Sequence, residues 1–222
     1  MTGLTPIAVV AAGGLGREVA WLIEEINSER RTYDFLGFLD DSLTATHEGW
    51  PVLDTVDGWL DSGHGEVQLV CAIGEPSTRS RVMERLDAAA TRYATLVHPT
   101  VRRSRWVELA PGCIVCAGCI LTTNIQVGRH TIINLDCTIG HDCRLAEFSS
   151  LMPGVHISGD VTLGRGVYVG TGANVINGVV IGDWAVIGAG AVVSRHLPAG
   201  QIAVGIPAKP IRSNPLAPSP LA

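Results

Sequence analysis

VGRHTIINLDCTIGHDCRLAEFSSLMPGVHISGDVTLGRGVYVGTGANV, residues 127–175, places an aliphatic side chain at every sixth position: Val127, Ile133, Ile139, Leu145, Leu151, Ile157, Leu163, Val169 and Val175. The same frame runs back through Leu121 and Val115 to Leu109 and forward through Ile181 and Ile187 to Val193, fifteen hits without a gap. A period of six is neither the 3.6 of a helix nor a plain alternation, so each unit must hold a short strand and a turn, and the chain must coil. Four residues after each aliphatic stands a small or β-branched one, from Thr131 through Cys137, Cys143, Ser149 and Val155 to Ala191, which marks a second inward position. Glycine follows the aliphatic at 128, 140, 164, 170, 182 and 188, where the spacing predicts corners with backbone angles that other residues resist.

The amino-terminal half has a different rhythm. Ile7–Ala12 is an apolar run ending in Gly13-Gly14-Leu15-Gly16, and the apolar positions of Arg17–Ile26 then follow helical spacing. Phe35–Leu39 reads as a second strand closed by Asp40-Asp41, and Val67–Ile73 as a third, ending at Gly74. A helix over Pro76–Ala90 and a fourth strand over Tyr93–Val97 complete the pattern, with a loop and short helix expected between Ser42 and Gly65. Strands alternating with helices imply a small parallel sheet covered on both faces. The expected division is 1–98 for this unit, 99–212 for the coil, with Thr100–Glu108 as its approach, and 213–222 for a proline-rich tail without order of its own.

Composition narrows the function. A net charge of −5 argues against nucleic acid or an anionic membrane as partner. Mean hydropathy is positive, yet turn residues or charges interrupt every apolar run before it could span a bilayer, and the first residues lack the cationic start of a secretory leader. Four of the six cysteines, Cys113, Cys119, Cys137 and Cys143, occupy the small inward slot, so free thiols and a cytoplasmic location are expected.

The glycine turn, Phe38-Leu39-Asp40-Asp41, Ala72-Ile73-Gly74, the His98-Pro99 junction, the hexapeptide coil and the closing Gly205-Ile206-Pro207-Ala208-Lys209 occur in an order that resembles one family. It is the bacterial sialic-acid O-acetyltransferases and nucleotide-amino-sugar N-acetyltransferases. The resemblance covers the chain to about Arg212. It implies a Rossmann-like α/β domain followed by a left-handed parallel β-helix of about five coils, three hexads to the turn. It further implies a homotrimer with active sites between neighbouring coils and acetyl-CoA lying along the β-helix. The acceptor, a nucleotide-linked amino sugar, is then held by Gly13, Gly14, Gly16, Arg17, Asp40, Asp41, Ile73 and Gly74. Relatives often have a histidine or polar group where this chain has Leu15, which cannot hydrogen-bond a pyrophosphate.

The segment Asn134–Cys143 resembles the family's catalytic segment, so that His141 falls on the general base, Asn134 on a polar neighbour and Asp142 on an acidic one. Acetyl transfer needs a base for the attacking group and fixed donors for the oxyanion, and histidine titrates in the right range. Of the seven histidines, His47, His64, His98, His130, His141, His156 and His196, the phase of the repeat turns His141 outward, while His130 and His156 are read as turn or seam residues. Eighteen residues on, Gly159 stacks on His141, and its bare N–H is a candidate oxyanion donor. Asp142 contacts His141 only if the corner bends; otherwise Asp136 or another chain orients the ring. Gly188 and Gly190 are candidates for contact with the pantetheine arm, and Lys209 and Arg212 for the phosphates of CoA. O-acetylation of a sialic acid or other hydroxyl is the nearest alternative. A γ-carbonic-anhydrase-like zinc enzyme using Cys137, His141 and Cys143, or a catalytically dead binding module, is the more distant one. By phase both cysteines point inward and the histidine outward, so no metal is expected.

Overall fold

In the computed structural model, residues 3–44, 49–62, 65–87 and 91–218 are described. β1 (Thr5–Val10), α1 (Gly14–Glu29), β2 (Tyr33–Leu39), β3 (Val52–Asp54), α2 (Val56–Ser62), β4 (Gln68–Cys71), α3 (Pro76–Asp87) and β5 (Arg92–Tyr93) build the first unit. The sheet is parallel, in the order β3-β2-β1-β4-β5. β1 is a nearly unbroken apolar run because both of its faces are covered: Ile7 and Val9 pack toward α1, Ala8 and Val10 toward Met83 and Leu86 of α3 and Trp59 of α2. The segment read as a loop before the short helix contains β3, a three-residue edge strand whose short apolar signal is flanked by Pro51 and Asp54.

One expected strand is divided between two sheets. Within Tyr93–Val97, Tyr93 closes β5, whereas Leu96–Val97 pairs with Ile114–Val115 and begins the coil. The coil therefore starts a turn earlier than the aliphatic frame indicates, and Arg102–Arg103 and Val107–Leu109 belong to it. Its three faces begin at Leu96, Arg102 and Val107, and the second face holds six stacked strands, so there are six coils where about five were expected. Partners lie eighteen residues apart, as in Thr138 with His156, and three hexads close each turn. Val115 through Val193 and the small partners Cys113 through Ala191 form one axial core cluster.

The corners differ from expectation in their cause. Left-handed φ recurs two residues after the expected glycines, and at Asn124 (53°), His130 (54°), Asp136 (55°), Asp142 (62°) and Phe148 (60°) the residue is not glycine. The glycines themselves answer to crowding between coils: a Cβ on Gly128 would lie 2.4 Å from the Glu147 nitrogen, and one on Gly140 would lie 2.6 Å from that of Gly159.

The first unit docks on the first face of the coil, and its core continues into it. Ile114, Cys116 and Ile132 join the cluster under α1, and Phe148 joins the one under α3. Arg79 seals the joint and is fully buried. Its Nε donates to the His130 carbonyl at 2.9 Å, and Nη2 donates to the Phe148 carbonyl at 2.8 Å and the Ser150 hydroxyl at 2.8 Å. Nη1 donates to the carbonyls of Ile73 and Gly74. Burial pushes its pKa down to about 10, still well above neutrality. His98 is a second pin, its Nε2 2.8 Å from Glu25 of α1.

The chain's end is more ordered than its composition suggests. Lys209–Ser213 pairs antiparallel with Gln201–Val204. Asn214 then donates to the Gly200 carbonyl through its backbone and to the Trp184 carbonyl through its side chain, and its own oxygens accept from the Leu216 and Ala217 N–H groups; residues 219–222 lie outside the described ones.

Candidate active site

His141 stands on the edge between the second and third faces, its side chain 63% exposed. The preceding strand, Thr138–Ile139, turns Ile139 inward, and Gly140 lets this coil press against the next. Asp142 takes the left-handed conformation, so the chain bends sharply and brings neighbouring side chains to the same side. Its Oδ2 accepts from His141 Nδ1 at 2.7 Å. Its Oδ1 accepts from the Nδ2 of Asn124, one coil earlier. The Asn124 amide first, then His141, holds the Asp142 carboxyl below the ordinary carboxylate range. Asp142 is therefore an anion at neutral pH, which fixes the Nδ1–H form of the imidazole and leaves the Nε2 lone pair free to act as a base.

Gly159 forms the floor under this ring. A Cβ there would lie 2.5 Å from both Cε1 and Nε2 of His141, so only glycine admits the imidazole in this position. Asp136 lies on the edge between the first and second faces, away from His141. Asn134 is on that edge too; it is 5% exposed and its Oδ1 accepts from the Leu135 N–H at 2.7 Å. A single chain does not bring Asn134 and His141 together.

The expected acceptor residues do converge, at the carboxyl ends of β1, β2 and β4. Gly13 and Gly14 are exposed, and a Cβ on either would meet nothing within 4 Å. Gly16 is required by packing, since its Cβ would strike the Ala11 carbonyl oxygen at 2.0 Å. Ala11 itself has φ 79°, so the turn is an Ala11-x-Gly13-x-x-Gly16 variant of the dinucleotide-binding fingerprint, with alanine at the left-handed position usually given to glycine. Arg17 sits in the first turn of α1. Asp40 accepts from the N–H groups of Ala12 (2.8 Å), Ser42 (2.8 Å) and Leu43 (2.9 Å). Partial burial works to raise its pKa, and these three donors outweigh it and lower the value. Asp41 accepts from the Val56 N–H at 2.8 Å, at the start of α2, and lies 3.7 Å from Arg85. The carbonyls of Ile73 and Gly74 are held by Arg79, and Leu15 lies beside Gly74. Beyond Gly74 a cleft of about 390 Å³ opens between Pro76, Met152, Tyr168, Trp184 and Leu216.

Of the expected CoA contacts, Gly190 has open space where a Cβ would be, whereas Gly188 is pressed by Val204, 2.7 Å from its would-be Cβ. Lys209 and Arg212 are exposed on the last strand. The remaining described histidines are occupied elsewhere: His130 is buried at the domain seam, His156 meets Thr138, and His196 accepts from the Val180 N–H. His47 and His64 lie outside the described residues. Cys137 and Cys143 are fully buried in the axial core, turned away from the exposed His141, and among the described residues no group of three potential ligands is arranged for a metal. All six cysteines are free thiols. Arg79, Asn124 and Ala11 were missed by sequence reasoning. Asn124 had a usable signal, since it stands eighteen residues before Asp142.

Sequence comparison matches residues 6–86 to the PglD N-terminal domain and residues 160–195 to the bacterial transferase hexapeptide of six repeats. The acetyltransferase domain of PglB from Neisseria gonorrhoeae, solved with acetyl coenzyme A, is 31% identical with a TM-score of 0.87, covering 94% of this chain and all of that one. PerB from Caulobacter crescentus, solved with CoA and GDP-perosamine, is 28% identical with a TM-score of 0.84, covering 96% of this chain and 99% of that one. The GDP-perosamine N-acetyltransferase of Escherichia coli O157:H7 is 29% identical over 157 residues, 70% of this chain and 71% of that protein. The fold and these relatives define a hexapeptide-repeat, left-handed β-helix acetyltransferase. Within that class the chain belongs to the nucleotide-amino-sugar acetyltransferase family.

Proposed function

We propose that this protein transfers the acetyl group of acetyl-CoA to the amine of a nucleotide-linked amino sugar by direct attack, with His141 as general base. The observation that carries the reading is the imidazole seated on Gly159, with Asp142 on Nδ1 and Nε2 left to accept a proton. As the amine attacks the thioester carbonyl, Nε2 takes its proton. The Gly159 N–H meets the developing oxyanion. Collapse of the tetrahedral species breaks the C–S bond, and the imidazolium returns the proton to the departing thiolate. Relatives that bind CoA and GDP-perosamine support this donor and acceptor class.

The acceptor's nucleotide lies against Gly13, Gly14 and the start of α1, where a helix N-terminus and bare backbone suit a diphosphate. Asp40 and Asp41 face its ribose or base, and Ile73–Gly74 lead toward the sugar. Lys209 and Arg212 meet the phosphates of CoA, and Gly190 leaves room for the pantetheine. Because the acceptor domain and Asn134 sit on other edges than His141, one chain's acceptor meets a second chain's base, which favours a homotrimer with sites between copies. Six free thiols, and the absence among the described residues of a helix long and apolar enough to cross a membrane, accord with a cytoplasmic enzyme.

The test is thiol release from acetyl-CoA with a panel of GDP- and UDP-linked amino sugars, beside free amino sugars. At least one nucleotide-linked amine should support turnover. His141→Ala should lower turnover roughly 10²- to 10⁴-fold while acetyl-CoA still binds; unchanged turnover would remove His141 from the mechanism.

A further inference from the structure

We infer that Asn124 is a positioning residue: its side-chain amide clamps Asp142, which thereby holds His141 as the Nδ1–H tautomer over Gly159. This deepens the reading of His141 as the base. Three successive coils each supply one part of an outward ladder on the same edge. Asn124 comes from the first, the His141–Asp142 pair from the second and Gly159 from the third, at eighteen-residue spacing.

Each contact uses a different atom of Asp142. Oδ2 takes the Nδ1 proton of His141 and Oδ1 takes an amide proton of Asn124. An exposed carboxylate with one partner rotates about its terminal torsion, and the second partner removes that freedom. The Asn124 amide must present its NH₂ group, because an anionic carboxylate only accepts. The Asp142 pKa is depressed by Asn124 before any other cause, consistent with a bond made to the charged form.

Asn124 also lies at a corner with φ 53°, a conformation that asparagine tolerates better than most residues, so its presence has a purely backbone explanation. The two explanations separate in one variant. Asn124→Gly suits the corner at least as well and removes the amide. If Asn124 positions the dyad, Asn124→Gly should keep its melting temperature and both KM values within about twofold while kcat falls roughly ten- to a hundredfold. In imidazole-¹⁵N-labelled protein, long-range ¹H–¹⁵N correlation should show His141 passing from the Nδ1–H form to a mixture with Nε2–H. Asn124→Asp sets a second carboxylate beside the first, which should move the acid limb of the kcat/KM profile to higher pH, because added negative charge favours the imidazolium.

A wild-type tautomer signal in Asn124→Gly overturns the clamp, and so does a wild-type kcat where His141→Ala is impaired. If His141→Ala is itself as active as wild type, the base assignment fails, and the tautomer signal alone decides whether Asn124 holds the ring.

Discussion

Gly159 shows how a missing methyl group can be a chemical requirement. The His141 ring occupies the volume a Cβ would take, so Gly159→Ala must push the imidazole off its seat or turn it away from Asp142. Gly159 is buried beneath the His141 ring, but its φ is not in the left-handed region and the atoms a Cβ would meet first belong to that exposed ring, so the fold itself tolerates alanine. We expect a melting temperature within a degree or two of wild type and a loss of at least tenfold in kcat, in line with the cost of a misplacement of about 1 Å; a full-activity Gly159→Ala enzyme would show that the ring's seat is irrelevant. The His141–Asp142 contact is likewise settled at this scale. Extended neighbours point opposite ways, and the left-handed φ of Asp142 is what cancels that rule.

At the scale of elements, the seam between α3 and the coil concentrates the buried polar groups. Arg79 satisfies five carbonyls or hydroxyls from two domains within normal bonding distance, beside a closer contact to Ile73. Arg79→Leu leaves those oxygens in a dry interface, a loss we place above about 3 kcal/mol, and the melting temperature should fall by more than about 6 °C. A smaller fall in calorimetry would mean that water enters the seam. His130 is fully buried there, stacked on Phe148 and edge-on to Tyr93. Burial first, then Arg129, pushes its pKa down to about 4 from the ordinary 6.5. The fold thus prefers the neutral ring, and the unfolded chain takes up the proton first as pH falls. Stability present above pH 6.5 should decline by about 3 kcal/mol on approach to pH 4. His130→Asn, which suits the left-handed corner, should flatten that slope; an unaltered slope would assign the acid sensitivity to other groups.

For the whole molecule, the first face of the prism is covered by the amino-terminal domain while the other two leave Ile120, Ile176 and Val180 exposed at 37%, 42% and 46%. A triangular prism with one covered face fits a closed three-fold arrangement. Sedimentation equilibrium should give three times the chain mass, and Ile176→Glu should lower it to one chain with loss of turnover. A variant that stays trimeric and active would place the interface elsewhere.

Legibility followed the range of each interaction. The six-residue frame announced the coil, because an inward aliphatic per hexad is a local and repeated demand, and the strand-glycine-helix rhythm announced the sheet for the same reason. Where the coil began was hidden, since Leu96–Val97 reads as an ordinary strand and only pairing with Ile114–Val115 assigns it to the second domain. Tail residues such as Asn214 look unstructured in sequence and are fixed by partners at Gly200 and Trp184. The chain by itself thus determined the repeat, the class of chemistry and the identity of the outward histidine. The eighteen-residue turn already stacked Gly159 on His141, whereas tertiary structure alone decided the Arg79 seam and the bend that turns Asp142 toward His141, because docking and the angle of a corner are not set by a repeating local demand.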